Sequence, residues 1–313
     1  GYSVQKLSED PTASEAVGQL FYNSASGKFK IAVAGAGAWA SSASVNTGGQ
    51  YRVGCGNTAT AGLLFGGVSG PVVTATESWN GTAWTELTGN LLVGTNEGGG
   101  ATSGTQTATL SFGAPPATCE TWDGTSWSEG NNMLSGALLN QSCGGTATAA
   151  IAMGGPGSNQ TEIYDGTSWS EVNNMLSSFG QKAGCGSTTS AISAGGRPPT
   201  QTAAELYDGT SWATTGSLNT GRYYQGAAGD SGTDAIMFAG IPPPSGLKVT
   251  ESFDGSTWTE VGDLSAVSSN MGGGVGNSTA AFACNTGTPV GGSPTNVEVW
   301  ADPVYTNKTV TVS

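Results

Sequence analysis

The chain alternates short apolar or aromatic runs with polar turns, and no segment sustains a helical period. One eight-residue phrase, Glu77-Ser-Trp79-Asn80-Gly81-Thr-Ala-Trp84, returns as Glu120 to Trp127, Glu162 to Trp169, Glu205 to Trp212 and Glu251 to Trp258. In each copy a Glu and an aromatic stand two apart, on one side of a strand, and a Trp opens the next strand. The Asn-Gly or Asp-Gly between them predicts a hairpin with a type I′ turn, both central residues taking positive φ. Upstream of each phrase lie two more strand-like runs, the second ending in a Gly pair such as Gly66-Gly67, Gly154-Gly155 or Gly195-Gly196. Each unit therefore reads as four strands: a, b ending in the Gly pair, c carrying Glu and an aromatic, and d carrying Trp.

The second Trp recurs at spacings of 43, 42, 43 and 46 residues. A decayed sixth copy, Glu298-Val-Trp300-Ala301-Asp302, puts Tyr305 in the last Trp slot, 47 residues on. A period of this length built from four strands predicts a β-propeller. Six units fit, at about 40–84, 85–127, 128–169, 170–212, 213–258 and 259–306. The Gly pair, the strand-c aromatic and the strand-d Trp resemble the kelch motif. The fold class expected is thus all-β: a six-bladed, kelch-like propeller of four-stranded blades over 40–313, preceded by an extended arm and β-hairpin over 1–39. The strand around Trp39 matches strand d and should complete the sixth blade, in competition with the alternating tail 305–313. Trp84, Trp127, Trp169, Trp212 and Trp258 should be buried between blades.

Composition prunes the chemistry. Histidine is absent, which removes Ser-His and Cys-His pairs, the usual zinc ligands and the commonest general base. The formal net charge of −13 with nine basic residues argues against nucleic acid and anionic membrane surfaces as partners. No apolar stretch is long enough to span a membrane as a helix. The three arginines, Arg52, Arg197 and Arg222, fall in unlike places in their units and predict no carboxylate-clamping triad. Glu77, Glu120, Glu162, Glu205, Glu251 and Glu298 recur in every unit, whereas a catalytic acid is needed once or twice. They are expected to accept hydrogen bonds from backbone or Trp N–H groups. Cys55, Cys143 and Cys185 share a strand-a slot held elsewhere by Thr102, Ala228 and Val275, so small buried side chains are expected there, with a metal or redox cluster as the rival. Five cysteines leave no complete disulfide framework. No catalytic residue, metal ligand or cofactor is assigned.

Variation concentrates in the b–c loops. They contain Pro71, Pro115, Pro116, Asn159, Arg197, Pro198, Pro243, Lys248 and Pro294, and none carries Asp or Glu. Stiff, variable loops on a fixed scaffold are candidate binding positions. The segment Gly18-Gln-Leu-Phe-Tyr22-Asn23 through Gly27-Lys-Phe29-Lys-Ile31 resembles short segments of tail-fibre and other virion proteins of bacteriophages. Together with the Asp-Gly-Thr-Ser-Trp units it resembles structural proteins of marine phages, cyanophages especially. The resemblance implies a non-enzymatic virion protein, as a tail fibre or capsid decoration, in many copies on an extracellular particle. Its arm would contact other virion proteins, and its loop face would bind host surface glycans. The alternatives are a secreted or surface-attached bacterial module that binds carbohydrate or protein, and a polysaccharide-degrading enzyme.

Overall fold

A computed structural model describes residues 4–12, 18–34, 37–58, 60–114, 117–135, 142–241, 246–269, 274–286, 294–302 and 305–311. Every regular element among them is a β-strand, and no helix is long and apolar enough to cross a membrane. The chain divides into two compact units, Trp39–Trp300 and the combination of Gly1–Ala38 with Ala301–Ser313. The strands form seven four-stranded sheets, not the six expected.

Six sheets lie in the larger unit. The first runs Val53–Thr58, Ala61–Phe65, Thr76–Trp79, Trp84–Glu86, antiparallel throughout. The next four repeat this order, ending at Trp127–Glu129, Trp169–Val172, Trp212–Thr214 and Trp258–Glu260. The sixth is built from Val275–Gly276, Ala280–Thr286 and Asn296–Ala301, and its fourth strand is Ala38–Ser42 from the start of the chain. The first strands of the six sheets touch in sequence, and Val275–Gly276 touches Val53–Thr58, so the ring of inner strands has no gap. Stacked, twisted four-stranded sheets around such a ring define a β-propeller architecture. The seventh sheet belongs to the terminal unit. The expected hairpin, Leu20–Asn23 with Lys28–Ala34, is flanked by Gln5–Leu7, parallel to it, and by Tyr305–Thr309. Tyr305 therefore pairs with Ala34 and not in the sixth sheet, and residues 301–313 leave the repeat to which 40–313 assigned them.

The hairpins differ from the expected turn. Trp79 pairs with Trp84, Trp122 with Trp127 and Tyr164 with Trp169, so each loop has four residues. Only the Gly takes positive φ, for instance Gly81 at 93° and Gly166 at 94°. The preceding Asn or Asp stays at negative φ and caps the loop with its side chain. Asp165 Oδ1 accepts from the N–H of Thr167 and of Ser168, both at 2.8 Å. The dipeptide is right but the mechanism is an Asx turn.

One apolar cluster fills each gap between neighbouring sheets. Between the first and second, Phe65, Leu63 and Leu91 meet Trp122 and Trp127. The strand-d Trp is the keystone, and Trp84, Trp127, Trp169, Trp212 and Trp258 are all buried. Each reaches back to strand c of the preceding sheet, to the residue just before the repeated Glu. Trp127 Nε1 donates to Thr76 Oγ1 at 2.9 Å, and Trp212 Nε1 to Thr161 Oγ1 at 3.0 Å. Trp39 Nε1 donates to Thr250 Oγ1 at 2.8 Å, and its ring lies 5.5 Å from Trp300, as Trp84 lies 5.4 Å from Trp79. The N-terminal strand thus supplies the missing Trp of the sixth sheet. Where the Thr is replaced, the bond changes. Ala204 leaves Trp258 to donate to Gly216 O at 2.9 Å, and Cys119 in the slot leaves the Trp169 indole N–H buried without a partner. Opposite Trp84 the slot holds Val297, and the indole N–H is buried without a partner.

Two mutational outcomes follow from the Trp contacts. Trp127→Ala, Trp169→Ala or Trp212→Ala should each cost about 3–5 kcal/mol in denaturant unfolding. Val297→Thr should instead raise stability by about 0.5–1.5 kcal/mol, the net worth of the hydrogen bond it restores to Trp84. A Tm at or below that of the parent would show that Trp84 does not lack an acceptor.

Candidate functional site

The repeated Glu is the most regular polar feature. Glu120 Oε2 and Oε1 accept from the N–H of Leu92 and Val93, both at 2.8 Å. Glu162 clamps Leu134 and Ser135 at 2.9 and 2.8 Å, and Glu205 clamps Leu176 and Ser177 at 2.6 and 3.1 Å. Glu77 holds Asn46 and Thr47, and Glu251 holds Asn219 and Thr220, the same way. Each carboxylate thus pins the linker that runs into its own sheet. Trp N–H groups take no part. Glu298 accepts from Ser265 N at 2.9 Å, but its second oxygen is buried without a partner and lines a small cleft with Ser41, Ser42 and Asn296.

Three clamps carry a cation, and two of the three arginines, though in unlike places, serve equivalent carboxylates. Arg52 meets Glu77 at 2.6 Å and Arg222 meets Glu251, both pairs fully buried, and Lys182 lies 3.6 Å from Glu205. Arg52 and Arg222 also donate to main-chain carbonyls, including Gly66 O and Val249 O. Glu120 and Glu162 have no cation in their clamps, and burial lifts their carboxyls above the usual 4.5.

The cysteines occupy two registers, not one. Cys55 pairs with Leu63 and Cys185 with Ile192, whereas Cys143 pairs with Ala152, directly opposite Glu162. The slot of Cys55 and Cys185 is filled elsewhere by Ala101, Gly144 and Ala228. Burial pushes Cys55 up to about 12 and Cys119 and Cys143 up to about 11, so these thiols are poor nucleophiles. Among the described residues no three His, Cys, Asp or Glu side chains converge as a metal site.

The loop candidates scatter. Pro115, Pro116 and Pro243 lie outside the described residues. Asn159 sits in a strand and ties down Met175 through its amide, 2.8 Å from Met175 O, and Pro294 is buried. Lys248 pairs with Asp263 at 3.5 Å, and Pro71 is exposed. Among the described members of the set, Arg197 and Pro198 alone adjoin a polar cluster, and they line a shallow cleft with Pro156, Gly157 and Gln181.

That cluster was not expected from sequence. Tyr51, Glu97, Gln181 and Tyr224 each stand two residues before the first strand of their sheet. All four have left-handed backbones, with φ of 56°, 63°, 59° and 54°. For residues with a Cβ such a conformation costs about 1–3 kcal/mol and is held only by its surroundings. The equivalent positions 140 and 273 lie outside the described residues. Side chains from four sheets meet here. Arg197 Nε donates to Gln181 Oε1, Gln181 Nε2 to Tyr224 OH at 2.7 Å, and Tyr224 OH to Glu97 Oε1 at 3.3 Å. The Tyr51 and Tyr224 rings lie 5.2 Å apart, and the Arg197 guanidinium sits 4.7 Å over Tyr223. Burial raises both Tyr51 and Tyr224, so their hydroxyls remain protonated donors. The cluster offers aromatic faces, an amide, a carboxylate and a guanidinium at the inner ends of the sheets. The shared feature, a bulky or polar residue two positions before strand a, carries no local sequence signal of a left-handed backbone.

No family model and no curated protein matches the chain. Among solved structures, that of YjhT superposes with a TM-score of 0.64 at 11% identity, over 86% of this chain and 99% of that one. At that identity the likeness is one of fold: the chain has β-propeller architecture.

The pKa shifts give a pH dependence of stability. Between 4.5 and their raised folded values, Glu120 and Glu162 bind protons more tightly folded than unfolded, so their contribution falls as pH rises through that window. Turn caps such as Asp123, Asp165 and Asp208 are held below the usual 3.8 by backbone N–H donors, so their contribution is present above 3.8 and lost as pH falls. Denaturant midpoints across acid pH should therefore peak between these two windows, and Glu120→Gln with Glu162→Gln should flatten the fall on the alkaline side.

Proposed function

We propose that the chain is a non-enzymatic display and binding module. In this reading the larger unit is a six-bladed, kelch-type propeller, and the inner polar cluster is its ligand face. The observation that carries it is the convergence of Tyr51, Glu97, Gln181 and Tyr224 on strained backbones. Aromatic faces with neutral hydroxyl, amide and guanidinium groups suit a polyhydroxylated ligand such as a surface glycan. A hydrolase would call for a second carboxylate beside Glu97. The recurring carboxylates are instead engaged on backbone N–H groups and serve the scaffold. The likeness of residues 18–31 to phage virion segments supports placing the module on a particle, held through its terminal segment. Low affinity per site would then be multiplied by copy number.

A glycan array probed with the chain, with products followed by mass spectrometry, tests this reading. Binding without turnover is expected, and Tyr224→Ala should weaken it about tenfold or more, the worth of one stacked ring. Release of shortened glycan, or binding untouched by Tyr51→Ala and Tyr224→Ala, would refute it.

A further inference from the structure

The clamped linkers differ in what they present. The residue whose N–H meets the first Glu oxygen is Asn46, Asn219 or Ser265 at three junctions. Asn46 and Asn219 turn their amides inward, onto the Glu and onto Trp84 O or Trp258 O. At the other three junctions, which are consecutive, the residue is Leu92, Leu134 or Leu176. They are 62%, 65% and 60% exposed, more than any other large apolar residue among the described residues. The slot does not require an apolar residue, and the buried carboxylate holds each leucine backbone still. Exposed leucines thus recur in the same clamped slot at three consecutive sheets, a rim of apolar surface that stability does not explain. Its flanks are acidic. Glu129 stands opposite Glu120 and Glu171 opposite Glu162 across the strand pair, and both are exposed.

A second unpartnered face lies on the terminal sheet. The register puts Lys6 beside Tyr22, Tyr22 beside Phe29, Leu20 beside Ile31 and Lys308 beside Ile31, all on one side. Val4, Leu20, Phe29 and Val310 on that side are 41%, 45%, 48% and 40% exposed, while Phe21 and Ala32 on the other side are buried. Its charges are lysines, with no carboxylate among its described residues. Lys6, Lys28, Lys30 and Lys308 balance Glu9, Asp10, Glu15 and Asp302 in the terminal unit, so the whole net charge of −13 belongs to Trp39–Trp300. Two acidic rims would repel one another, whereas a lysine-fringed apolar sheet fits one.

We propose that the rim of Leu92, Leu134 and Leu176 receives the terminal sheet of a second copy of this chain, Lys6 and Lys308 meeting Glu129 and Glu171. Such a head-to-tail contact uses different surfaces on the two copies and propagates into rings or filaments. It deepens the assembly reading of the terminal segment and rests on it.

Sedimentation velocity on the full chain over a concentration series tests it. Reversible association that weakens with salt is expected. Leu92→Ser/Leu134→Ser/Leu176→Ser and Lys6→Glu/Lys308→Glu should each leave monomers with the parent Tm. Mixed, the two variants should form a one-to-one dimer that grows no further, because each retains the surface the other lacks. A lysine variant that associates like the parent would overturn the proposal in favour of rim-on-rim pairing. Failure of the mixture to pair would overturn it as well. A parent chain that stays monomeric yet incorporates into particles would overturn this contact while leaving the particle reading intact.

Discussion

A buried carboxylate gripping two consecutive backbone N–H groups is the interaction on which this architecture depends. A propeller must turn the chain sharply from the outer strand of one sheet to the inner strand of the next, and that linker has no ladder partner. Its N–H groups would be orphaned where the sheets pack, at a cost of about 1–3 kcal/mol each. A Glu in strand c meets both at once, with a charge-assisted bond to each. The same carboxylate must then be buried. At three junctions a Lys or Arg offsets the desolvation, and at Glu120 and Glu162 the N–H pair does so with less help, which is why these two sit above the ordinary carboxyl range, while Glu298 holds a single N–H.

The Trp complements this clamp. The Glu ties a linker to its own sheet, and the Trp of that sheet ties it to the preceding one through the residue beside the preceding sheet's Glu. The two side chains together make each junction a copy of its neighbour. Closure is then the same junction made from distant chain. Trp39 on Thr250 repeats Trp127 on Thr76, so the sixth sheet is sealed by a contact between residues 211 apart in sequence. Trp84 against Val297 is an imperfect junction, as is Trp169 against Cys119, and the first of these lies between the sixth and first sheets, where the repeat is most decayed.

The repeat was legible because its period, strand pattern and Gly-containing hairpins are local in sequence. So was the role of Trp39, because a strand-d aromatic ahead of the first unit has one place to go. The turn type was misread because Asn-Gly and Asp-Gly suit two different hairpins, and the Asx cap that decides between them lies in side-chain geometry. The Cys143 register was misread because equal spacing of residues does not count the bulges between them; the first sheet carries one between Cys55 and Thr58 that the third lacks. The ion pairs of Arg52 and Arg222 were hidden because the two stand at different distances from strand a yet reach equivalent carboxylates, Glu77 and Glu251. The terminal sheet required placing residues 5–7 and residues 305–309 on the two edges of the hairpin, and nothing local reports that.

Function in a repeat scaffold resides where the repeat is broken. The five complete clamps are nearly interchangeable, and they contribute rigidity without specificity. What differs is the cargo they hold. Two residues before each inner strand the scaffold sets Tyr, Glu, Gln and Tyr in left-handed backbones at the four described positions, and their side chains meet across sheets that are not neighbours. On the linkers it sets Leu on three consecutive junctions and Asn or Ser on the rest. Neither departure improves the packing of a junction: the left-handed residues cost free energy, and the leucines expose apolar surface. Stability alone would have erased both, so the surplus that the Glu and Trp contacts supply is what lets this chain keep an inner polar cluster and a one-sided apolar rim.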